Sequence, residues 1–572
     1  SVTGAGSCSL PAMTETPPPP PPPPTPPAGD DTKKRGGWFA KFLATVEWLG
    51  NLLPHPVSLF AIFAGLVLVA SALCTGFGVA VEDPRPEGHP GRAADGMIRA
   101  VSLLDGEGIR WITTNLVTNF TGFVPLGTVL VALLGVGVAD RSGLLSAFIR
   151  GLVLAAPKQL VTVVIVFAGV LSNTASEMGY VVLIPLAAVV FHAMGRHPLA
   201  GLAVAFAGVS GGYSANLLIG TVDPLLAGIT QEAARFLEPT YEVHPAVNWF
   251  FMIGSTFLVT AVVSLVTIKI VEPRFGTYDP ANAAEDVERN PSLERLTLEE
   301  KRGLVNAAIA AVLTSLLFVY IAGPQRWGFQ NLSGLPYYGV LRMPNPGPDD
   351  MALKPFLDSV VAMIFVFFVI PGFVYGRTVG TMKNDRDVIE AMAGAMSSMG
   401  LYIVLVFFAA QFVAFFRETN LGLIFAVVGA DAIRAIGLDN MWVFIPFIIM
   451  CAFVNLMLGS ASAQWAVTAP IFVPMLMGVG FSPEVIQAAY RIGDSTTNII
   501  TPMMSYFGLI LAFACRYDKK LGIGTLIAAM LPYAIFMFLS WVTFFYIWVF
   551  LLGLPVGPAA PTLFPAPAPA GG

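Results

Sequence analysis

The sequence predicts an all-α polytopic membrane protein: about nine transmembrane helices plus two oppositely oriented re-entrant hairpins, arranged as an inverted repeat with broken helices. Three observations predict it. The chain of 572 residues is 55% hydrophobic and only 12% charged, with a mean hydropathy of +0.73, whereas a soluble domain carries about 25% charged residues. Many apolar stretches approach the ~20 residues needed to cross a bilayer. Finally, two distant segments share one design. Ser172-Asn173-Thr174-Ala175-Ser176-Glu177 and Ser460-Ala461-Ser462-Ala463-Gln464-Trp465 each set small and polar residues between apolar arms. Each is followed by a span interrupted by glycine and polar residues, Gly211 to Pro224 and Arg491 to Pro502. Paired broken segments in two halves point to the binding site of a secondary transporter.

Residues 1–37 are set apart from the fold. Pro17 to Pro27 is nearly all proline, which favours an extended, solvated strand. Lys33, Lys34, Arg35 and Lys41 then precede the first span, Val57 to Ala80, so the positive-inside rule places the N-terminus in the cytoplasm. The loop with Glu82-Asp83-Pro84 lies outside. A second span, Asn119 to Ala139, returns to Arg141, Arg150 and Lys158. Residues 158–194 are too long for one span, are broken at the Ser-Asn-Thr step and have positive charge at both ends. They read as a hairpin entering from the cytoplasm.

The first broken helix, 199–229, leads to an acidic outer loop with Glu232, Glu238 and Glu242. Trp249 to Ile270 completes a first half of 38–271, and a polar linker, 272–302, joins it to a second half of 303–552. There Gly303 to Ala322, Phe356 to Val374 and Ser397 to Phe416 read as spans, 441–477 as the second hairpin and 484–514 as the second broken helix. Arg516, Lys519 and Lys520 sit inside if Leu421 to Ile436 lies at the surface or re-enters, which makes the second hairpin enter from the outside. The final span is Leu521 to Leu552. The Pro/Ala-rich tail, 553–572, reads as disordered. Cys8, Cys74, Cys451 and Cys515 show no metal or disulfide spacing.

The chemistry concentrates at the tips and breaks. Irregular backbone persists at membrane depth only where protein or a wet cavity satisfies it. Ser172, Asn173, Thr174, Ser460 and Ser462 supply oxygens of the kind that bind a hard cation such as Na⁺, and Ser172, Asn173 and Ser460 are the candidate Na⁺ ligands. The same residues also serve ordinary turns. Glu177, Asp223, Arg491 and Asp494 fall inside apolar spans, where each charge costs ~2.5–3.5 kcal/mol. Arg491 and Asp494 are three apart, on one helical face. They form either a structural ion pair or a site in which Asp494 titrates or binds the coupling ion while Arg491 meets a substrate anion. Asp223 is either a relay or cation ligand or the cap of the next half-helix. Trp465 either stacks on an aromatic substrate or packs in the core. His192 and His197 read as interfacial. The chain has no phosphate-cradling Gly-rich loop ending in Lys-Ser/Thr, so an ion gradient rather than ATP hydrolysis in this chain would supply the energy. An aspartyl protease dyad of Asp223 and Asp494 conflicts with Arg491, which would hold Asp494 ionised.

Four stretches, SNTASEMGYVVLIPLAAVVFHAMGRHPLAGL, GGYSANLLIGTVDPLLAGIT, GSASAQWAVTAPIFVPM and YRIGDSTTNIITPMMSYFGLI, resemble the AbgT family of p-aminobenzoyl-glutamate transporters and antimetabolite exporters. The likeness runs from about Trp38 to Leu552. The hairpin-and-break plan is also similar to the divalent anion/Na⁺ symporters. The resemblance implies a homodimer in the bacterial inner membrane, with a transport core inside a dimer frame. It implies a small aromatic carboxylate or sulfonamide as substrate and lipid as surroundings, with no nucleic acid, no enzymatic activity and no cofactor beyond a possible Na⁺. Asp223, Ser462, Trp465, Pro483, Arg491, Asp494 and Pro502 match family positions tied to substrate or proton handling. Ser460, Asn498 and Asn216 join them as candidate substrate contacts, and Glu177, Asn173 and Thr174 join Asp223 and Asp494 as candidate ion-coupling residues. A Na⁺-coupled dicarboxylate importer is the alternative.

Overall fold

The computed structural model describes residues 54–564 apart from 90, 176–178, 280–283, 285–286, 288–294, 324–338, 344–351 and 520. The expected Glu177 and the linker residues 280–283, 285–286 and 288–294 lie outside the described residues.

Helix α1 (Pro56–Gly76) leads into a two-stranded antiparallel ladder, β1 (Ala80–Glu82) with β2 (Met97–Arg99), in which Val81 faces Ile98. The sequence reading expected only a polar loop here. Helices α2 (Gly106–Thr121) and α3 (Val124–Arg141) follow, then α4 (Leu144–Leu154). The second span therefore begins as two helices meeting at Gly122-Phe123, because Pro125 suits the first turn of a new helix and not the interior of an old one.

The first tip unit is α5 (Val161–Ser172), a 3₁₀ turn at Asn173–Ala175, a π-turn at Gly179–Leu183, and α6 (Ile184–Ala193). At 1.5 Å per residue α5 rises about 18 Å, short of the ~30 Å hydrocarbon core. The first broken helix is α7 (Pro198–Phe206) with a π-turn at Ala207–Gly211, a non-helical stretch, and α8 (Val222–Ala234). Next come α9 (Trp249–Val266), α10 (Glu272–Phe275), α11 (Leu298–Ile321), α12 (Lys354–Asp358), α13 (Val360–Val379), α14 (Asp385–Ser398), α15 (Gly400–Glu418) and α16 (Leu421–Ala435). The second tip unit is α17 (Phe444–Leu458) and α18 (Ala461–Val479). The second broken helix is α19 (Pro483–Asn498) and α20 (Phe507–Tyr517), and α21 (Ile523–Tyr546) closes the bundle.

Nine helices among the described residues are long and apolar enough to cross a membrane. Two of them, Met441–Leu458 and Ala461–Val479, are the arms of the second tip unit, whereas the arms of the first are shorter. The two units thus share a plan but not an arm length.

Small residues let the frame helices touch. A Cβ on Gly135 would stand 2.5 Å from the Phe365 carbonyl, and one on Gly372 would stand 2.8 Å from Cα of Ala139. This close approach of α3 and α13 is how helices associate where lipid removes the hydrophobic drive. Val136, Ala139, Ile364 and Phe368 pack in that seam. Helix α11 turns Val305, Ile309, Val312, Leu313, Leu316 and Leu317 outward, an apolar face suited to lipid.

The tail departs from expectation. Residues 553–564 dock on the core. Ser482 N–H donates to Thr562 O at 3.2 Å, Phe564 N–H to Gly480 O at 2.9 Å, and Phe251 N–H to Val556 O at 2.9 Å. Val556 and Ala560 are buried. Proline and alanine carry no periodicity to betray such a strap, which is held by backbone bonds.

Candidate functional site

Each tip is stitched to its broken helix by an asparagine. In a π-turn the i→i+5 pattern leaves carbonyls off the α ladder, and Asn173 Nδ2 takes one of them, Val209 O, at 2.9 Å. Thr174 Oγ1 donates to Asn216 Oδ1 at 3.0 Å. In the second half Asn455, near the end of α17, donates through Nδ2 to Asp494 O at 2.7 Å and to Asn498 Oδ1 at 2.8 Å. The first break also meets the second broken helix directly: Ser214 N–H donates to Ser495 Oγ, on α19, at 3.1 Å.

The buried charges do not pair as spacing suggests. Arg491 reaches across the molecule to Asp223, Nη2 to Oδ1 at 2.5 Å, with both side chains at most 4% exposed. Its Nε donates to Asn248 Oδ1 at 3.1 Å. Asp223 Oδ2 accepts from Gly220 N–H at 2.7 Å, so the carboxylate also ties down the backbone of the first break, while α8 itself starts at Val222 without a side-chain cap bond. Of the two alternatives for Arg491 and Asp494, the structural ion pair between them is not formed, because the long Arg side chain serves the other half. Asp494 is fully buried with neither carboxylate oxygen hydrogen-bonded among the described residues. Asn455 Oδ1, Gln464 Oε1 and, at the first tip, Asn173 Oδ1 are also buried without partners. Buried acceptors are normally satisfied, so each of these oxygens is open to a proton or a hard cation, and oxygen is the donor such a cation takes. No group of three His, Cys, Asp or Glu able to hold a metal occurs among the described residues.

A cavity of about 580 Å³ opens between the halves. Ser460, Ser462 and Asn498 line it, as do Tyr180, Tyr213 and Tyr506. Ser460 and Ser462 hydroxyls lie 3.4 Å apart. Ser172 bonds back to Gly169 O at 2.6 Å, within its own helix. Trp465 is not among the lining residues. Its ring stacks on Tyr490 with centroids 4.2 Å apart, and its Nε1 donates to Thr230 Oγ1 at 2.9 Å. The ring is fully buried in this packing. Pro483 starts α19 within its first turn, where its lack of an N–H is harmless, and Pro502 lies in the second break. His192 and His197 pack against Tyr278, beside an Arg196–Glu272 ion pair at 2.5 Å.

The sequence reading missed Asn455, Gln464 and Asn248. Asn455 carried a signal, as the lone amide in the apolar run Phe444–Leu458. Asn248, beside Trp249, carried none. It also missed Glu484, a buried carboxylate that accepts from Tyr241 Oη at 3.0 Å.

Two tip units, two broken helices and a buried ion pair joining the two halves define a multi-pass membrane-transporter architecture. The chain belongs to the AbgT putative transporter family, whose profile matches residues 41–564. The p-aminobenzoyl-glutamate transport protein of Escherichia coli K12 is 35% identical over 518 residues, covering 91% of this chain and 96% of that protein. The solved structure of Neisseria gonorrhoeae MtrF, described as illuminating a class of antimetabolite efflux pumps, is 57% identical with a TM-score of 0.83, covering 91% of this chain and all (100%) of that one. The YdaH transporter of Alcanivorax borkumensis, described as having an unusual topology, is 43% identical with a TM-score of 0.78, covering 88% of this chain and 100% of that one.

Proposed function

We propose that this transporter moves p-aminobenzoyl-glutamate and sulfonamide-type antimetabolites across the bacterial inner membrane, driven by the proton gradient, as a homodimer with a cytoplasmic N-terminus and re-entrant tips. The substrate class follows the printed functions of the E. coli and N. gonorrhoeae relatives. One observation carries the coupling: the Asp494 carboxylate is buried without a partner among the described residues, while Arg491, one turn away, is held by Asp223 of the other half. A carboxyl in that position gains most from taking up a proton. The neighbouring Arg491–Asp223 bridge joins the two halves, so a change at Asp494 acts beside the link that must rearrange in alternating access.

A second reading has its own support. Unpartnered neutral oxygens of Asn455 and Gln464 suit Na⁺ as well as a proton suits Asp494. Proteoliposomes decide between them. Flux of p-aminobenzoyl-glutamate and sulfamethazine is measured with H⁺ and Na⁺ gradients imposed separately. The proposal expects flux to follow the H⁺ gradient and to vanish in Asp494→Ala. Flux that follows Na⁺ alone selects the second reading, and flux indifferent to both gradients defeats each.

A further inference from the structure

The aromatic wall of the central cavity is not where the sequence put it. Trp465 is spent on Tyr490 and Thr230, but the cavity is lined by Tyr180, Tyr213, Tyr402 and Tyr506. Two of these form one surface. Tyr180, in the π-turn after the first tip, and Tyr506, at the end of the second break, stack with centroids 4.5 Å apart and planes within 6°. They come from opposite halves of the chain, and Ser460 and Ser462 of the second tip share their cavity. Near-parallel rings at this separation are offset, the arrangement aromatic pairs favour, and each can exchange its partner for another ring without losing the interaction.

Charge states which end of a ligand belongs there. Among the described lining residues Asp140 is the sole carboxylate, and there is no Lys, Arg or His. Arg491 is already held by Asp223 and Asn248. A carboxylate entering this cavity would meet a like charge and no counter-ion, whereas a neutral ring bearing an amine meets ring faces, hydroxyls and an acceptor. We infer that Tyr180 and Tyr506 form an aryl-binding clamp that takes the neutral aminophenyl end of the substrate by stacking, with the anionic end, where one exists, held outside this cavity. The inference rests on the transport reading above. It extends that reading to a shared recognition element, since p-aminobenzoyl-glutamate and sulfonamides have only the aminophenyl group in common.

The test is equilibrium binding to the purified full chain, using p-aminobenzoyl-glutamate, sulfanilamide and free glutamate as probes. The expected result is that the wild-type chain binds the two aryl compounds and not glutamate. Tyr180→Leu and Tyr506→Leu should each weaken both aryl compounds about five- to tenfold, the scale of one lost aromatic pairing. Tyr180→Phe and Tyr506→Phe, which keep the ring, should stay within about twofold, since the pairing that matters is between ring faces. Leu variants that bind as the wild type does overturn the clamp and leave the transport reading intact. Glutamate that binds as tightly as p-aminobenzoyl-glutamate overturns the assignment of the aryl end. A wild-type chain that binds neither aryl compound defeats the transport reading and the clamp together. Where a Leu variant does not fold, p-cyanophenylalanine at position 180 or 506 keeps the ring. Its nitrile stretch shifts on adding sulfanilamide if the clamp exists and stays put if it does not.

Discussion

At the scale of single residues, two buried aspartates promise opposite consequences when mutated. Asp223 satisfies Arg491 and the Gly220 N–H. Removing it leaves a guanidinium buried with only Asn248, and losing one partner of such a pair costs about 3–5 kcal/mol. The Asp494 carboxylate has no hydrogen-bond partner among the described residues. We expect Asp494→Asn to melt at or slightly above the wild-type temperature while losing gradient-dependent flux, and Asp223→Ala to melt well below it. Thermal unfolding in one detergent compares the two, and equal melting temperatures would contradict the pairing. This asymmetry was not legible in the sequence. Spacing put Arg491 and Asp494 on one face, but the true partner is 268 positions away. Outside the membrane, burial works against ionised Asp83, yet the side-chain and backbone donors and the charge of Arg85 outweigh it and hold the carboxyl below its ordinary 3.8. A lowered folded-state value means the pair stabilises above that ordinary value and its contribution fades as pH falls through the folded one. Proteolysis of the 79–105 loop should therefore quicken below about pH 4, the ordinary carboxylate range. Arg85→Ala should be equally susceptible at pH 7.

At the scale of elements, the tip-and-break device was the most legible part of the chain, for a physical reason. A helix interrupted inside a membrane must find partners for its freed backbone groups, so the sequence has to spend asparagine, serine and glycine there. What stayed hidden was which carbonyl each asparagine would take. Gly459 shows how tightly the second tip is set. It ends α17 with φ of 58°, and a Cβ there would stand 2.8 Å from the Met503 backbone in the second break. Gly459→Ala meets both the left-handed penalty, about 1 kcal/mol, and a backbone clash. We expect it to lower transport several-fold with the chain still folded. Wild-type flux would show that tip and break need not touch.

At the scale of the whole molecule, composition announced a lipid-embedded bundle but misjudged its tail. The segment 553–564 straps the elbow between α18 and α19 at Gly480 and Ser482 and reaches the start of α9 at Phe251. His244 adds a bond to Pro558 O at 2.8 Å. Deleting residues 557–572 frees the Gly480 carbonyl, the Ser482 N–H and the His244 ring while leaving the Phe251–Val556 bond, at about 1 kcal/mol for each lost bond. The melting temperature should drop by several degrees and the 480–483 elbow should become open to protease. An unchanged melting temperature would mean the strap lies on the core without holding it.

The dry stack of Trp465 on Tyr490 also makes the protein its own optical probe. The indole sits on the helix beside α19, and Tyr490 lies one turn before Asp494. Charge arriving at or leaving that carboxyl changes the electric field across a chromophore that no solvent can screen. With the other tryptophans replaced by phenylalanine, the emission maximum of Trp465 should move as Asp494 is loaded and discharged. A label-free fluorescence trace could then follow each coupling event in real time.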